Sequence, residues 1–270
     1  MQYTEPRIFC IASTSCEKES LEEYLKFLGI PGWKTDAFSS AELLIEVAGR
    51  RCYRSWETEK VSVSEQNPNL SKTRKGNGNY IKNILKSKHG SVLEHAYVTY
   101  AIENVSRVFT HEIVRHRLCN FSQESLRFVR PTELKAYFPD AFREINDIVT
   151  RQKVERILDR TFTKLEDVQQ DLIDVLGMDQ LKKTFSEKKK LQSAMRRLLP
   201  MGMQTGIIVT ANHRSWRHMI AMRTAAGAEE EIQKVFNLIA KDLRERYPAI
   251  YQDMREVYGL SGFIFQNERV

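Results

Sequence analysis

The sequence predicts an α+β fold: an antiparallel sheet core flanked by long helices, in a single domain over residues 1–270. Three observations carry that expectation. Residues 95–103 and 203–211 are rich in β-formers, and roughly a hundred mostly helical residues separate them instead of βαβ repeats. Residues 151–176 place Val154, Ile157, Leu158, Phe162, Leu165, Leu172 and Leu176 at helical spacing. No internal repeat, low-complexity tract or Gly/Ser/Pro-rich linker marks a domain boundary.

The elements follow in chain order. Ser39 and Glu42 can form a capping box for a helix over 40–50, with Leu43, Leu44 and Val47 as its apolar stripe. The polar, Gly/Asn-rich stretch 66–79 reads as loop. Ile81, Ile84 and Leu85 give a short helix that stops at Gly90. Tyr97, Thr99 and Ala101 alternate with Val98, Tyr100 and Ile102, the period of a strand. Val105, Val108, Phe109 and Ile113 then return to helical spacing over 104–118, with Asn104 or Ser106 as the cap. A basic helix is expected over 182–197, and Pro200 and Gly202 punctuate before the second strand. Ile207–Val209 make that strand buried on both sides. Helices follow over roughly 213–224 and 228–246, the latter ending before Pro248.

Composition narrows the class. The chain has 270 residues, 41% of them hydrophobic and 29% charged, which excludes a disordered or fibrous chain. Lys plus Arg number 42 and Asp plus Glu 35, so the formal charge is 42 − 35 = +7. That balance suits an anionic ligand; it suits nucleic acid only if concentrated on one face. No apolar run approaches the ~20 residues of a membrane helix, so no membrane partner is expected. Glu5, Pro6 and Arg7 interrupt the N-terminal apolar stretch, which is too short for a signal peptide. Cys10, Cys16, Cys52 and Cys119 form no CxxC pair, and the expectation is a reduced, cytoplasmic protein.

The chemistry concentrates in Arg115-His116-Arg117-Leu118-Cys119-Asn120-Phe121-Ser122-Gln123-Glu124-Ser125-Leu126-Arg127. Guanidinium forks match phosphate oxygens, and the polar loop after the helix end can complete a phosphate or base contact. Alone, an Arg-His-Arg triplet is a solvated basic helix end; a polar loop that continues for ten residues without becoming amphipathic weakens that reading. A second cluster is Asn212-His213-Arg214-Ser215-Trp216-Arg217-His218, followed by Arg223. Arg214 and His218 share a helix face, against the plainer alternative of an N-cap and a surface basic face. The third piece, Ser91-Val92-Leu93-Glu94-His95, precedes the first strand. His111-Glu112 opens like a zincin motif, but the next histidine is five residues on and Arg115 sits beside it, which argues against metal. No familiar Gly-rich phosphate loop and no G-x-S-x-G occurs. Cys119 near Arg115 and Arg117 is a conceivable thiolate, without a base partner in sequence.

Arg115-His116-Arg117, seven residues and Ser125 together resemble the RHR-x7-S signature of the flavin-dependent thymidylate synthases. Ser91-x-x-Glu94-His95, Leu199-Pro200, Thr205, Asn212-x-Arg214 and Arg223 extend the resemblance in matching order over about residues 40–250. The resemblance implies that His95, Arg115, His116, Arg117, Gln123, Asn212, Arg214 and His218 contact FAD. It implies that Glu112, Arg115, Gln123, Glu124, Ser125, Leu126, Arg127, Arg196 and Arg223 contact dUMP, with Arg223 activating the pyrimidine. It further implies a homotetramer with shared active sites, NADPH as reductant, methylenetetrahydrofolate as carbon donor and no protein nucleophile. Three departures stand out. Glu112 replaces the Gln common in the family, which bears on base or product specificity. Leu126 is larger than the usual small residue, and Ser193 stands where an acid usually precedes Arg196. A related pyrimidine nucleotide hydroxymethylase is the near alternative. A nucleic-acid-binding module built on 107–130 and 182–197, beginning at Lys182 and Lys183, is the alternative of another class.

Overall fold

Four strands form the central sheet, where the sequence pattern showed two. The computed structural model describes residues 2–130, 133–180, 183–257, 262–268 and 270. In chain order the strands are β1 (Tyr3–Thr4), β2 (Arg7–Ser13), β3 (Tyr97–Ser106), β4 (Cys119–Gln123), β5 (Ala136–Tyr137), β6 (Gln204–Asn212), β7 (Met254–Glu256) and β8 (Phe263–Phe265). The helices are α1 (Lys18–Phe27), α2 (Ser40–Tyr53), α3 (Val63–Gln66), α4 (Asn77–Lys86), α5 (Arg107–Ile113), α6 (Asp140–Arg143), α7 (Ile148–Val175), α8 (Phe185–Met195), α9 (His213–Arg223) and α10 (Glu230–Arg246). The sheet runs β2-β3-β6-β4, every neighbour antiparallel.

One face of the sheet carries the core. Val98, Tyr100, Ile102, Ile207, Val209 and Ala211 bury against Trp216, Met219 and Ile220 of α9 and Val235, Phe236, Ile239 and Leu243 of α10. On the other face Phe9, Ile11 and Ile208 are 49%, 53% and 40% exposed, and among the described residues no helix covers them. The Thr99 and Thr210 hydroxyls bond each other there, 2.9 Å apart.

Several expectations needed correction. β2 went unread because its stretch was weighed only as a possible leader. β4 was read as polar loop, but Cys119, Phe121 and Gln123 are half-buried while Asn120 and Ser122 face out, the alternation of an edge strand. The helix expected over 104–118 is α5 alone, because β3 runs on to Ser106. It does so through a bulge between Ile102 and Val105, with Asn104 at φ 62°, a left-handed conformation that Asn tolerates. The Gln204 amide donates to Asn104 Oδ1 at 2.8 Å and holds the bulge. Gly206 lies opposite it, with the Glu103 carboxylate packed over its Cα.

Ser106, not Asn104, caps α5, accepting from the Phe109 N–H at 3.2 Å. Its own N–H and hydroxyl donate to the buried Glu231 carboxylate. Ser39 caps α2, its Oγ accepting from the Glu42 N–H at 3.2 Å, and the Glu42 carboxylate also accepts from the Ala249 N–H at 2.7 Å. Within the stretch read as loop, α3 ends at Gln66 and α4 begins at Asn77. The basic helix is α8, which starts at Phe185; Lys182 lies outside the described residues. Among the described residues no helix is long and apolar enough to cross a membrane.

Candidate active site

Helix α9 organises the first cluster. Asn212 ends β6 and caps α9, its Oδ1 accepting from the Ser215 N–H at 2.8 Å, so the N-cap role foreseen as the plainer alternative is real. His213 is fully buried against Tyr251, Nδ1 to hydroxyl 3.0 Å, and serves the core. Arg214 and His218 face out on one side of the helix. Arg214 Nη1 reaches Glu94 Oε1 at 2.5 Å, which ties the turn carrying the exposed His95 to α9. A side chain at Gly90 would run into Arg214 and Val270, so that turn needs a residue without Cβ.

At the C-terminal end of α9, Arg223 meets the triplet that follows α5. Arg223 Nε donates to His116 Nε2 at 2.9 Å, Nη1 to Glu112 Oε2 at 2.7 Å, and Nη2 to the Glu112 carbonyl at 3.0 Å. The His116 and His218 rings lie edge to face, centroids 6.1 Å apart. A guanidinium has five N–H donors, so three internal bonds leave two for a ligand. Burial, then the Arg223 charge and His218, push the His116 pKa down to about 4, with Glu112 opposing. A neutral imidazole is what lets Nε2 accept from Arg223. An NMR titration should therefore place His116 near pH 4, and Arg223→Ala should move the midpoint up towards 6.5. The associated stability falls as pH drops from 6.5 towards 4, because the unfolded chain takes the proton first. A wild-type midpoint at 6.5 would refute the arrangement.

Arg115 and Arg117 are exposed and pair with no described carboxylate. Cys119, two residues on, sits against Met219, and burial lifts its thiol to about 11. It is protonated at neutral pH, which removes the conceivable thiolate.

The second cluster lies beyond β4. Gln123 Nε2 donates to Thr110 Oγ1 at 2.9 Å, and the Glu124 carboxylate accepts from Thr205 Oγ1 at 3.5 Å. Burial, then the nearby Arg196 charge, lower the pKa of Arg107. The Ser125 carbonyl accepts from the N–H groups of Phe128 and Val129, both at 2.9 Å, which turns the chain so that Arg127 points out. Leu126 is 8% exposed and packs with Leu134, Ala136, Phe162 and Met203. Its size serves that satellite core, leaving only backbone for a ligand.

Among the described residues no bond links Arg223 to Ser125 or Arg127. Sequence reasoning missed Arg107, Thr110 and the partnership of Glu94. Arg107 and Thr110 were hidden in a stretch read as one long helix; Glu94 was quoted within its motif without a role.

Cations, the neutral His116 imidazole and hydroxyls gather at one end of the sheet, a donor set that suits an anionic ligand. Residues 35–249 match the family described as thymidylate synthase complementing protein. The flavin-dependent thymidylate synthase of Mycobacteroides abscessus is 34% identical over 223 residues, 82% of each chain. That of Mycobacterium bovis is 32% identical over 254 residues, 90% of this chain and 92% of the relative. The crystal structure of the UMP/dUMP methylase PolB from Streptomyces cacaoi bound with 5-Br UMP superposes with a TM-score of 0.65 at 17% identity, covering 93% of this chain and 95% of that one. The chain belongs to the flavin-dependent thymidylate synthase family.

Proposed function

We propose that this chain converts dUMP to dTMP by reductive methylation, with methylenetetrahydrofolate as carbon donor, NADPH as reductant and FAD as redox carrier. The observation that carries the reading is the Arg223 guanidinium, fixed by Glu112 and a neutral His116 with two N–H groups to spare. A cation there stabilises the anion that develops on the uracil carbonyl edge as C5 attacks. The donor set fits FAD: Arg115, Arg117 and Arg214 are exposed guanidiniums for a pyrophosphate, and His116 and His218 offer rings beside them. When bound, FAD passes electrons from NADPH to the one-carbon unit. The protein binds, orients and neutralises charge, and the half-buried Cys119 thiol, its pKa raised to about 11, is not activated by Arg115 or Arg117.

The dUMP phosphate goes to Ser125, Arg127 and Arg196 in this reading, with Gln123 and Glu124 at the ring or sugar. In this reading each site draws residues from several copies, and the open sheet face, with Phe9, Ile11 and Ile208 exposed, supplies an apolar surface for assembly. A homotetramer in the cytoplasm completes the proposal. Light scattering should give a mass near four chains, and a fully active monomer would exclude shared sites. Mass identification of the product formed from dUMP, methylenetetrahydrofolate and NADPH tests the reaction itself. A hydroxymethylated nucleotide, or no product, would overturn it.

A further inference from the structure

Beside the loop that turns at Ser125 lies an open cavity of about 420 Å³ that shares only Arg127 with the proposed dUMP site. Arg127, Ser186, Lys189, Lys190, Ser193 and Arg197 line it. The loop is clamped to α8 there. Phe128 stacks on Phe185 with centroids 6.0 Å apart, Lys189 Nζ lies 4.5 Å from the Phe128 ring centroid, and Gln192 donates to the Val129 carbonyl at 2.6 Å. The cavity is therefore continuous with the nucleotide loop.

Its charge is one-signed. Four cations and two hydroxyl residues face it, and no carboxylate lines it. The nearby acids are engaged elsewhere. Glu187 accepts from the Thr184 N–H and hydroxyl at the start of α8, both at 2.7 Å, and Asp179 pairs with Arg130 at 2.9 Å. A carboxylate at 193 would offset one of those four charges, and this chain has serine there. Such a site suits a dense polyanion, because several phosphoryl oxygens can each meet an N–H or O–H donor.

We propose that this cavity takes the β- and γ-phosphates of a pyrimidine deoxynucleoside di- or triphosphate whose α-phosphate occupies the Ser125–Arg127 loop, so that polyphosphorylated nucleotides compete with the monophosphate. The inference rests on the dUMP reading of that loop. Its ligand is distinguished from a monophosphate by Lys190 and Arg197, which the proposed dUMP site does not need.

The test is equilibrium binding of dUMP, dUDP, dUTP and inorganic tripolyphosphate to the flavin-loaded enzyme at fixed salt. In the wild type dUTP should displace dUMP and bind about tenfold more tightly, as expected for one added charge-assisted bond. In the Lys190→Gln/Arg197→Gln variant that advantage should vanish while dUMP affinity stays within about twofold. Tripolyphosphate should lose affinity in the same variant. dUTP binding no tighter than dUMP, or an advantage that survives the double substitution, would overturn the proposal. Failure of dUMP to bind, with tripolyphosphate still held through Lys190 and Arg197, would overturn the nucleotide reading and keep the polyphosphate preference of the cavity. Failure of tripolyphosphate as well would remove both.

Discussion

Arg223→Ala should lower thymidylate formation by about 10²-fold or more, the usual cost of deleting one preorganised charge-stabilising donor. The substitution removes the cation and leaves Glu112 Oε2 and His116 Nε2 without their partner. Arg223→Lys should fail as well. An ammonium cannot bond an imidazole, a carboxylate and a carbonyl on one side while presenting a planar edge on the other. Glu112→Gln keeps an acceptor for Arg223 Nη1 and drops only the charge, so its loss should stay within about tenfold. Flavin reduction by NADPH should persist in all three, since it does not require an activated uracil. Stopped-flow reduction and single-turnover product formation separate the two half-reactions. A variant whose flavin reduction collapses while methyl transfer from pre-reduced enzyme stays normal would reverse the assignment.

The second large effect is on stability. Arg217 and Asp253 are 2% and 6% exposed and meet in a fork, Nη1 to Oδ1 at 2.7 Å and Nη2 to Oδ2 at 3.0 Å. Arg217 also donates to the Ile250 carbonyl at 2.9 Å and lies 4.1 Å from the Phe265 ring centroid. Asp253 Oδ2 accepts from the Asn267 side-chain amide at 2.8 Å. Burial alone would raise the Asp253 pKa, but Arg217 and Asn267 hold it below the ordinary 3.8. Asp253→Ala strands a buried guanidinium and should cost about 3–5 kcal/mol. For a chain of this size that is a Tm lower by roughly 10 °C, read by calorimetry. The sign with pH is fixed: the aspartate's contribution is complete above 3.8 and is lost as pH falls through the depressed value. The difference between wild type and variant should therefore narrow in acid. Equal Tm values at pH 7 would show that the pair contributes nothing net.

Legibility in the sequence followed periodicity. β3, β6, α9 and α10 were readable because each presents a sustained apolar face to one core, and α7 by its apolar spacing, although Phe162 and Ile173 bury in separate satellite clusters and Ile157 is exposed. β4 was not, because a five-residue edge strand needs only one half-buried side and its polar side resembles loop. The length of β3 was hidden by a bulge, since an extra residue breaks the alternation that identifies a strand. In the site, residue types and their order pointed to Arg223, His116 and Glu112, but not to their mutual bonds. Nothing in the spacing from 112 to 223 reveals that α5 and α9 end side by side. Leu126 shows the reverse case: its neighbours in sequence face solvent, while three-dimensional packing makes it core.

The bulge at Asn104 bears on how the length of this chain can vary. Adding a further residue beyond the bulge, between Val105 and Ser106, would slip the ladder by one position and turn each following side chain to the opposite face. Ser106 would then lose both its cap on α5 and its hold on Glu231, and the Arg-His-Arg turn would shift away from Arg223. The connection over residues 68–72, before Thr73 and Arg74 bond the buried Arg50, carries no such phase, and each doubling of its length costs only about 0.6 kcal/mol. Insertions and deletions are thus admissible there and barred at the bulge, so a change in chain length is a different kind of event at two points less than forty residues apart in sequence.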